Sequence, residues 1–291
     1  MEAVLLPAAV GVLVGLVVGA LGGGGGILTV PILVYLLDQD AHVAATSSLV
    51  IVGVTSLTAL VPNARRGHVR WSEGLLFGLL GTVAAYLGAF LSLSVQEQLL
   101  MALFSVLLLV SAGLMLQRSW VAWHAAHHRA QRSAAGDDPE APRRAARGGG
   151  PGRPPVVRRH PLRVDWRRAA EVLGWASVVG LLTGFFGVGG GFAVIPALVL
   201  GLRFGMRAAV GTSLLVIVVN SAVGFAARVS EGVTVDWVLI AAFTGSSVLA
   251  GLVGTRISAR VRSDVLSTAF GLLLAAVSVA TAAQAFPALL R

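Results

Sequence analysis

The chain has 291 residues, 56% of them hydrophobic and 12% charged, with a mean hydropathy of +0.85. Soluble domains carry about 25% charged residues, so this composition excludes a water-soluble protein and points to a polytopic membrane protein. The net charge of +9 and the pI of about 11.6 raise nucleic-acid binding, but most of the positive charge sits in one segment between apolar runs, where it fixes topology and touches anionic lipid.

Cysteine and lysine are both absent. That leaves no disulfide, thiolate or Fe–S ligand, and no P-loop, whose lysine must reach the nucleotide phosphates. Met1 to Leu21 lacks a basic n-region, so the first hydrophobic segment is expected to direct insertion itself.

Apolar residues run from Ala3 to Leu37, longer than the ~20 residues one span needs, and Gly22 to Gly26 interrupt them. A short acidic loop, Asp38-Gln39-Asp40, follows. The next runs are Val43 to Val61, Gly74 to Leu93 and Leu99 to Leu116, separated by the basic stretch Asn63 to Arg70 and the turn Ser94 to Gln98. Trp120 to Trp166 is rich in Arg, Pro and Gly and reads as a polar linker, disordered over much of its length. Its start resembles a short interfacial helix. His124, His127 and His128 there have helical spacing but no carboxylate or Cys beside them, so no metal site is assigned. The second half runs from Ala169 to Leu202, broken at Gly187 to Gly191, and continues through Ala208 to Ala227, Trp237 to Thr255 and Val265 to Phe286.

The halves are copies. GLVVGALGGGGGILTVP at Gly15 to Pro31 recurs as GLLTGFFGVGGGFAVIP at Gly180 to Pro196, offset by 165 without a gap. Ala44-Ala45-Thr46-Ser47-Ser48-Leu49 matches Ala209-Val210-Gly211-Thr212-Ser213-Leu214, and Thr55-Ser56 matches Asn220-Ser221. After one inserted residue, Trp71, Gly88 and Phe104 match Trp237, Gly254 and Phe270. Each glycine costs a helix about 1 kcal/mol relative to alanine, so a cluster inside an apolar run predicts a break. Broken helices in paired halves point to a transporter's binding site.

Basic residues set the orientation. The Arg-loaded linker is expected in the cytoplasm, which puts Asp38 to Asp40 outside and Asn63 to Arg70 inside. If Ala169 to Leu202 crossed once, Arg203, Arg207, Arg256, Arg260 and Arg262 would all lie outside, against the rule. A hairpin there returns them to the cytoplasm; one span kinked at the glycines is the alternative. The expected architecture is therefore an all-α polytopic membrane protein with two inverted-topology repeats. Each repeat is a glycine-broken helical hairpin plus three transmembrane helices, in residues 1–118 and 169–291. Residues 119–168 form the cytoplasmic linker, and both termini lie outside.

No Asp, Glu, His or Arg falls deep in a span, which disfavours a proton pump, a cation transporter and an intramembrane enzyme. Hydroxyls, one amide and exposed backbone remain, and they suit a small oxyanion. Glycine turns aim N–H groups at one spot, and helix N-termini add about half a positive charge. The candidate substrate-binding residues are Gly22, Gly24, Gly25, Gly26, Thr46, Ser47 and Ser48 from the first repeat. From the second come Gly187, Gly189, Gly190, Gly191, Thr212, Ser213 and Asn220. For any one hydroxyl, helix packing with back-bonding to its own helix is the competing reading. His42 and Arg207 occupy equivalent positions, as anion attractors at a vestibule or as plain interfacial caps. Pro31 and Pro196 are expected to start or kink the returning helices.

The duplicated GxxxGxxGxGGGxxxxP, each copy followed by A-x-x-[ST]-S-L, resembles the TauE/SafE family of membrane anion permeases over both hydrophobic halves. The resemblance implies transport of small sulfur-containing anions, such as sulfite, sulfonates or related organic acids, across the cytoplasmic membrane without ATP. It implies no cofactor, and it makes the glycine clusters with Thr46-Ser47-Ser48 and Gly211-Thr212-Ser213 the candidate core. The long basic linker departs from the family's compact loop. The expected function is a secondary transporter working by alternating access at a midplane site, with H+ or Na+ as a possible coupling ion. An anion-selective channel is the alternative, and neither substrate identity nor oligomeric state is readable.

Overall fold

A computed structural model describes residues 2–22, 25–39, 41–92, 103–117, 119–120, 157–159, 162–164, 166–186, 191–229 and 236–289. The first half contains α1 (Glu2–Leu21), α2 (Gly25–Tyr35), α3 (Ala41–Arg65), α4 (Trp71–Ser92) and α5 (Leu103–Gln117). The second contains α6 (Trp166–Phe186), α7 (Gly191–Pro196) continued by a π turn (Ala197–Gly201), α8 (Met206–Val229), α9 (Trp237–Arg260) and α10 (Ser263–Leu289). Two short strands, β1 (Val157–Arg159) and β2 (Leu162–Val164), pair antiparallel within the segment expected to be an unstructured linker. Helix α6 also starts at Trp166, inside that segment.

Among the described residues, four stretches are long and apolar enough to cross a bilayer: Thr46–Arg65, Met206–Ala226, Trp237–Arg260 and Ser263–Ala283. Leu5–Leu21, Leu103–Gln117 and Ala170–Phe185 are shorter apolar helices. Large apolar side chains such as Tyr86, Val83, Val238 and Leu249 point outward, as a surface facing lipid tails requires.

Helix partners are exchanged between the halves. A methyl on Gly15 would strike Ser247, and one on Gly19 would strike Gly251, so α1 lies parallel against α9. In the other half, Gly180 lies against Gly81 and Gly184 against Ala85, so α6 lies parallel against α4. Sequence equivalents fill both contacts in the same register. Helices α3 and α8 meet antiparallel, Gly53 against Ser221 and Gly224 against Leu49. Helices α5 and α10 also run antiparallel, with Ser278 donating to the Ser105 carbonyl (2.8 Å) and Gly271 facing the Ala112 carbonyl. The core divides accordingly. One cluster joins α1, α2 and α3 with α9 and two leucines of α8; the other joins α6, α7 and α8 with α4, α5 and α10.

In the second half these directions require the chain to fold back. Arg66 donates to the Thr255 carbonyl (3.2 Å), Arg70 stacks over Phe204 (4.5 Å) and Arg207 donates to the Val261 carbonyl (3.2 Å). The basic loops at 66–70, 203–207 and 255–262 therefore share one end of the bundle. Helix α4 starts at that end, so its parallel partner α6 does too. Because α8 also starts there, residues 191–201 must return. Gly201 lies against the indole of Trp175, as a fold-back about the glycine cluster demands. A single kinked span does not fit these contacts.

The returning helices end alike. Leu37 and Leu202 N–H reach back five residues to the Ile32 and Ala197 carbonyls, at 3.1 and 3.0 Å. Gln39 and Phe204 N–H reach the Leu33 and Leu198 carbonyls, at 3.0 and 2.9 Å. Between them Asp38 (φ 52°) and Arg203 (φ 54°) take the left-handed conformation that usually falls to glycine. Pro31 lies within α2, while Pro196 ends α7 and opens the π turn, so neither starts its helix.

Candidate functional site

Gly22 is where the first break happens. Its φ of +76° ends α1, and its N–H still reaches the Val18 carbonyl (2.8 Å). A Cβ there would lie 2.6 Å from Val210 Cγ1 and 2.8 Å from Val210 Cα. Both the backbone conformation and the close approach therefore require glycine. The Ser213 hydroxyl donates to the Gly22 carbonyl (2.8 Å) and to its own helix at Val210 (2.9 Å). The hydroxyl motif of the second half thus clamps the glycine turn of the first.

Beside it, the Thr212 hydroxyl accepts the Arg70 N–H (3.2 Å). The Arg70 guanidinium lies 3.5 Å from Glu73 Oε1, and Ser72 donates to Glu73 Oε2 (3.2 Å). Glu73 is 2% exposed, a buried carboxylate in the first turn of α4 beside a fixed arginine. Sequence reading passed over this pair because Glu73 sits at the margin of an apolar run. The i,i+3 spacing of an Arg and a Glu at a helix start was the available signal. His68 completes the cluster, its carbonyl packed on Gly211. Burial lowers its pKa below the ordinary 6.5, and the nearby charges of Arg207 and Arg66 add to the effect.

Gly25 and Gly26 open α2, and Gly191 opens α7. Gly24, Gly187, Gly189 and Gly190 lie outside the described residues, as do the side chain of His42 and the linker histidines. Arg207 anchors the end of α9 from an exposed position. Thr46 and Ser48 are buried and partnered; Ser47 is buried, and its hydroxyl finds no partner among the described residues.

The two hydroxyl motifs do not converge. The α3–α8 register puts Thr46–Ser48 near one end of that pair and Thr212–Ser213 near the other, roughly 20 Å apart at 1.5 Å per residue. One midplane site built from both motifs is the expectation from the sequence; this register sets the two motifs apart along the helix pair. When equivalent helices run antiparallel, equivalent residues separate in proportion to their distance from the crossing. Residues near the crossing stay closest in level, and the equivalent pairs Thr55-Ser56 and Asn220-Ser221 lie within about one helical turn of it. There Thr82 shares its hydroxyl proton between the Gly78 carbonyl (2.8 Å) and Asn220 Oδ1 (3.1 Å). Thr55 bonds back to the Ile51 carbonyl (2.7 Å). Of the buried oxygens without a partner among the described residues, Ser56 Oγ is the one at this crossing.

Among the described residues no group of three His, Cys, Asp or Glu is placed to hold a metal. Among the described residues the arrangement offers hydroxyl and amide hydrogen-bonding groups.

The profile of the sulfite exporter TauE/SafE family matches residues 7–281. A probable membrane transporter protein of Xylella fastidiosa strain 9a5c is 30% identical over 272 residues, covering 92% of this chain and 91% of that one. The probable membrane transporter protein YunE of Bacillus subtilis is 27% identical over 267 residues, covering 88% and 90%. No solved structure matches. Apolar helices exchanged between two glycine-broken halves, with a family match over residues 7–281, identify the chain as a multi-pass membrane transporter protein of the TauE/SafE sulfite exporter family.

Proposed function

We propose that the protein is a secondary transporter of small anions, sulfite, sulfonates or related organic acids, working by alternating access between two inverted-topology repeats. The observation that carries this reading is the exchange of helices. Equivalent helices α3 and α8 pair antiparallel, while α1 with α9 and α6 with α4 repeat one contact in both halves. A two-fold axis lying across the helices accounts for all of these at once. Under such an axis, exchanging the conformations of the two halves turns an outward-open form into an inward-open one, the mechanism of inverted-repeat carriers.

Anion preference rests on the site chemistry. The polar groups at the α3–α8 crossing are hydroxyls and one amide, which suit an anion and offer no charge to a cation. The bundle end that carries Arg66, Arg70 and Arg207 faces the cytoplasm in this reading, with both termini outside. H+ or Na+ is the candidate coupling ion.

The test is uptake of radiolabelled sulfite, a sulfonate and sulfate into proteoliposomes with an imposed pH or Na+ gradient. Saturable counterflow supports the carrier. Unitary currents without counterflow would instead make the protein an anion channel, and absence of flux for every anion would end the proposal.

A further inference from the structure

We infer that the anion rests where α3 crosses α8, held by Ser56, Asn220 and Ser221 with Thr82 positioning Asn220, and that this uncharged donor set selects singly charged oxyanions over dianions. The inference builds on the anion-transport reading above and places its site away from the glycine turns.

The crossing is fixed by Gly53 against Ser221 and Leu49 against Gly224. Leu49, Gly53 and Ser56 follow the i, i+4, i+7 spacing of one helix face, so Ser56 is directed at α8. Ser56 is 0% exposed, and its hydroxyl has no partner among the described residues. A buried hydroxyl left this way is destabilising and calls for an explanation. Back-bonding is the ordinary remedy, and two neighbours use it: Thr55 to the Ile51 carbonyl (2.7 Å) and Thr58 to the Thr55 carbonyl (2.8 Å). Ser56 does not.

Across the crossing, Asn220 accepts from Thr82 through Oδ1 (3.1 Å), which turns its amide N–H groups away from α4. The Ser221 side chain faces Gly53 at the same place, its Oγ 3.5 Å from where a Cβ on Gly53 would lie. Three sets of donors from the two repeats therefore lie within about one helical turn of the crossing. A ligand there keeps its donors whichever end of the bundle opens.

Neither Leu49 to Ser56 of α3 nor Asn220 to Gly224 of α8 contains a cationic residue. Moving an ion into a low-dielectric interior is costly even for a single charge, and the cost grows with the square of the charge. Hydroxyl and amide donors offset a monoanion's loss far more readily than a dianion's. The fitting class is a small sulfur oxyanion carrying one charge, such as a sulfonate or hydrogen sulfite.

The experiment measures uptake of 35S-labelled methanesulfonate and 35S-sulfate by the full chain in proteoliposomes. It also measures the thermal midpoint of each variant with and without methanesulfonate. Ser56→Ala and Ser221→Ala are expected to raise the half-saturating methanesulfonate concentration about tenfold or more, the loss of one hydrogen bond to a charged group. Asn220→Asp should abolish uptake, and Thr82→Val should weaken it by less than Asn220→Ser. The ligand-free midpoint of Ser56→Ala should hold or rise, because a methyl replaces an unmet hydroxyl; a packing role would lower it. Wild type should take methanesulfonate at least tenfold faster than sulfate. Robust wild-type uptake with unchanged half-saturation in Ser56→Ala and Ser221→Ala would overturn the site while leaving the transporter reading intact. Equal sulfate uptake would overturn the charge selection. A wild type with neither uptake nor stabilisation by methanesulfonate would overturn this inference, while the transporter reading falls only if sulfite and sulfate also show no flux.

Discussion

Gly180 and Gly81 face each other where α6 lies on α4, yet only one of them has no room for a side chain. A Cβ on Gly180 would fall on the Gly81 carbonyl, 2.7 Å from Gly81 Cα and 2.8 Å from its carbonyl carbon. A Cβ on Gly81 would find Ala176 O at 3.7 Å, an ordinary contact. Carbon atoms pack best at about 3.5–4.0 Å, so Gly180→Ala must push the helix backbones apart by about 1 Å. A gap of that size forfeits a quarter to a half of each atom pair's attraction. In a bilayer, packing is what holds helices together, because lipid tails are as apolar as leucine. Overpacking against rigid backbone costs about 3 kcal/mol at the upper end, and the better helix propensity of alanine returns about 1 kcal/mol. The net expectation is a loss of about 2 kcal/mol for Gly180→Ala and no loss for Gly81→Ala. Unfolding in mixed micelles by rising fractions of denaturing detergent, followed by far-UV circular dichroism, reads the difference. Gly15→Ala is the internal duplicate, since its Cβ would lie 2.6 Å from Ser247 Cα. A Gly180→Ala protein as stable as Gly81→Ala would refute the close approach, and a harmless Gly15→Ala would refute the equivalence of the two contacts.

At the first break, Gly22→Ala should cost about 1–2 kcal/mol for the left-handed backbone alone, before its clash with Val210. Ser213→Ala, which frees the Gly22 carbonyl, should cost about 1 kcal/mol; the same detergent titration measures both. His68 is held neutral in the fold, with its pKa below 6.5. As pH falls, the unfolded chain takes up this proton first. The stability contribution is therefore complete above about pH 6.5 and is lost as acidification proceeds through the lowered folded-state value. Thermal midpoints between pH 5 and 8 should fall toward acid less steeply in His68→Gln than in wild type. Single cysteines introduced at Asp38 and Gly205 in this naturally cysteine-free chain should react with an impermeant thiol reagent from opposite sides of the membrane. Labelling from the same side would remove the topology proposed here.

Much of the architecture is legible in the sequence because bilayer physics leaves few choices. The hairpins follow from the arginines at 203, 207, 256, 260 and 262, which a single crossing would put on the wrong side. The repeat follows from glycines at a constant offset. The convergence of the site was not legible in the same way. Thr46–Ser48 and Thr212–Ser213 look like halves of one site when the repeats are aligned as text, but antiparallel α3 and α8 carry them to opposite ends. Which equivalent residues meet depends on where the helices cross, and Gly53 is the clue to that point, since it is where α3 presents no side chain to Ser221. The Arg70–Glu73 pair was missed for a different reason. A carboxylate at a run's margin reads as a solvated helix start until packing buries it.

The interchange of α4 and α9 between the two cores bears on how the chain is made. Residues leaving the ribosome first cannot complete their own fold, because α1 waits for α9 and α4 waits for α6. The newly inserted first half must sit in the membrane with a small-residue face unfilled until the rest is translated. A gene cut within the linker should give two fragments that are each degraded alone and restore one another when expressed together.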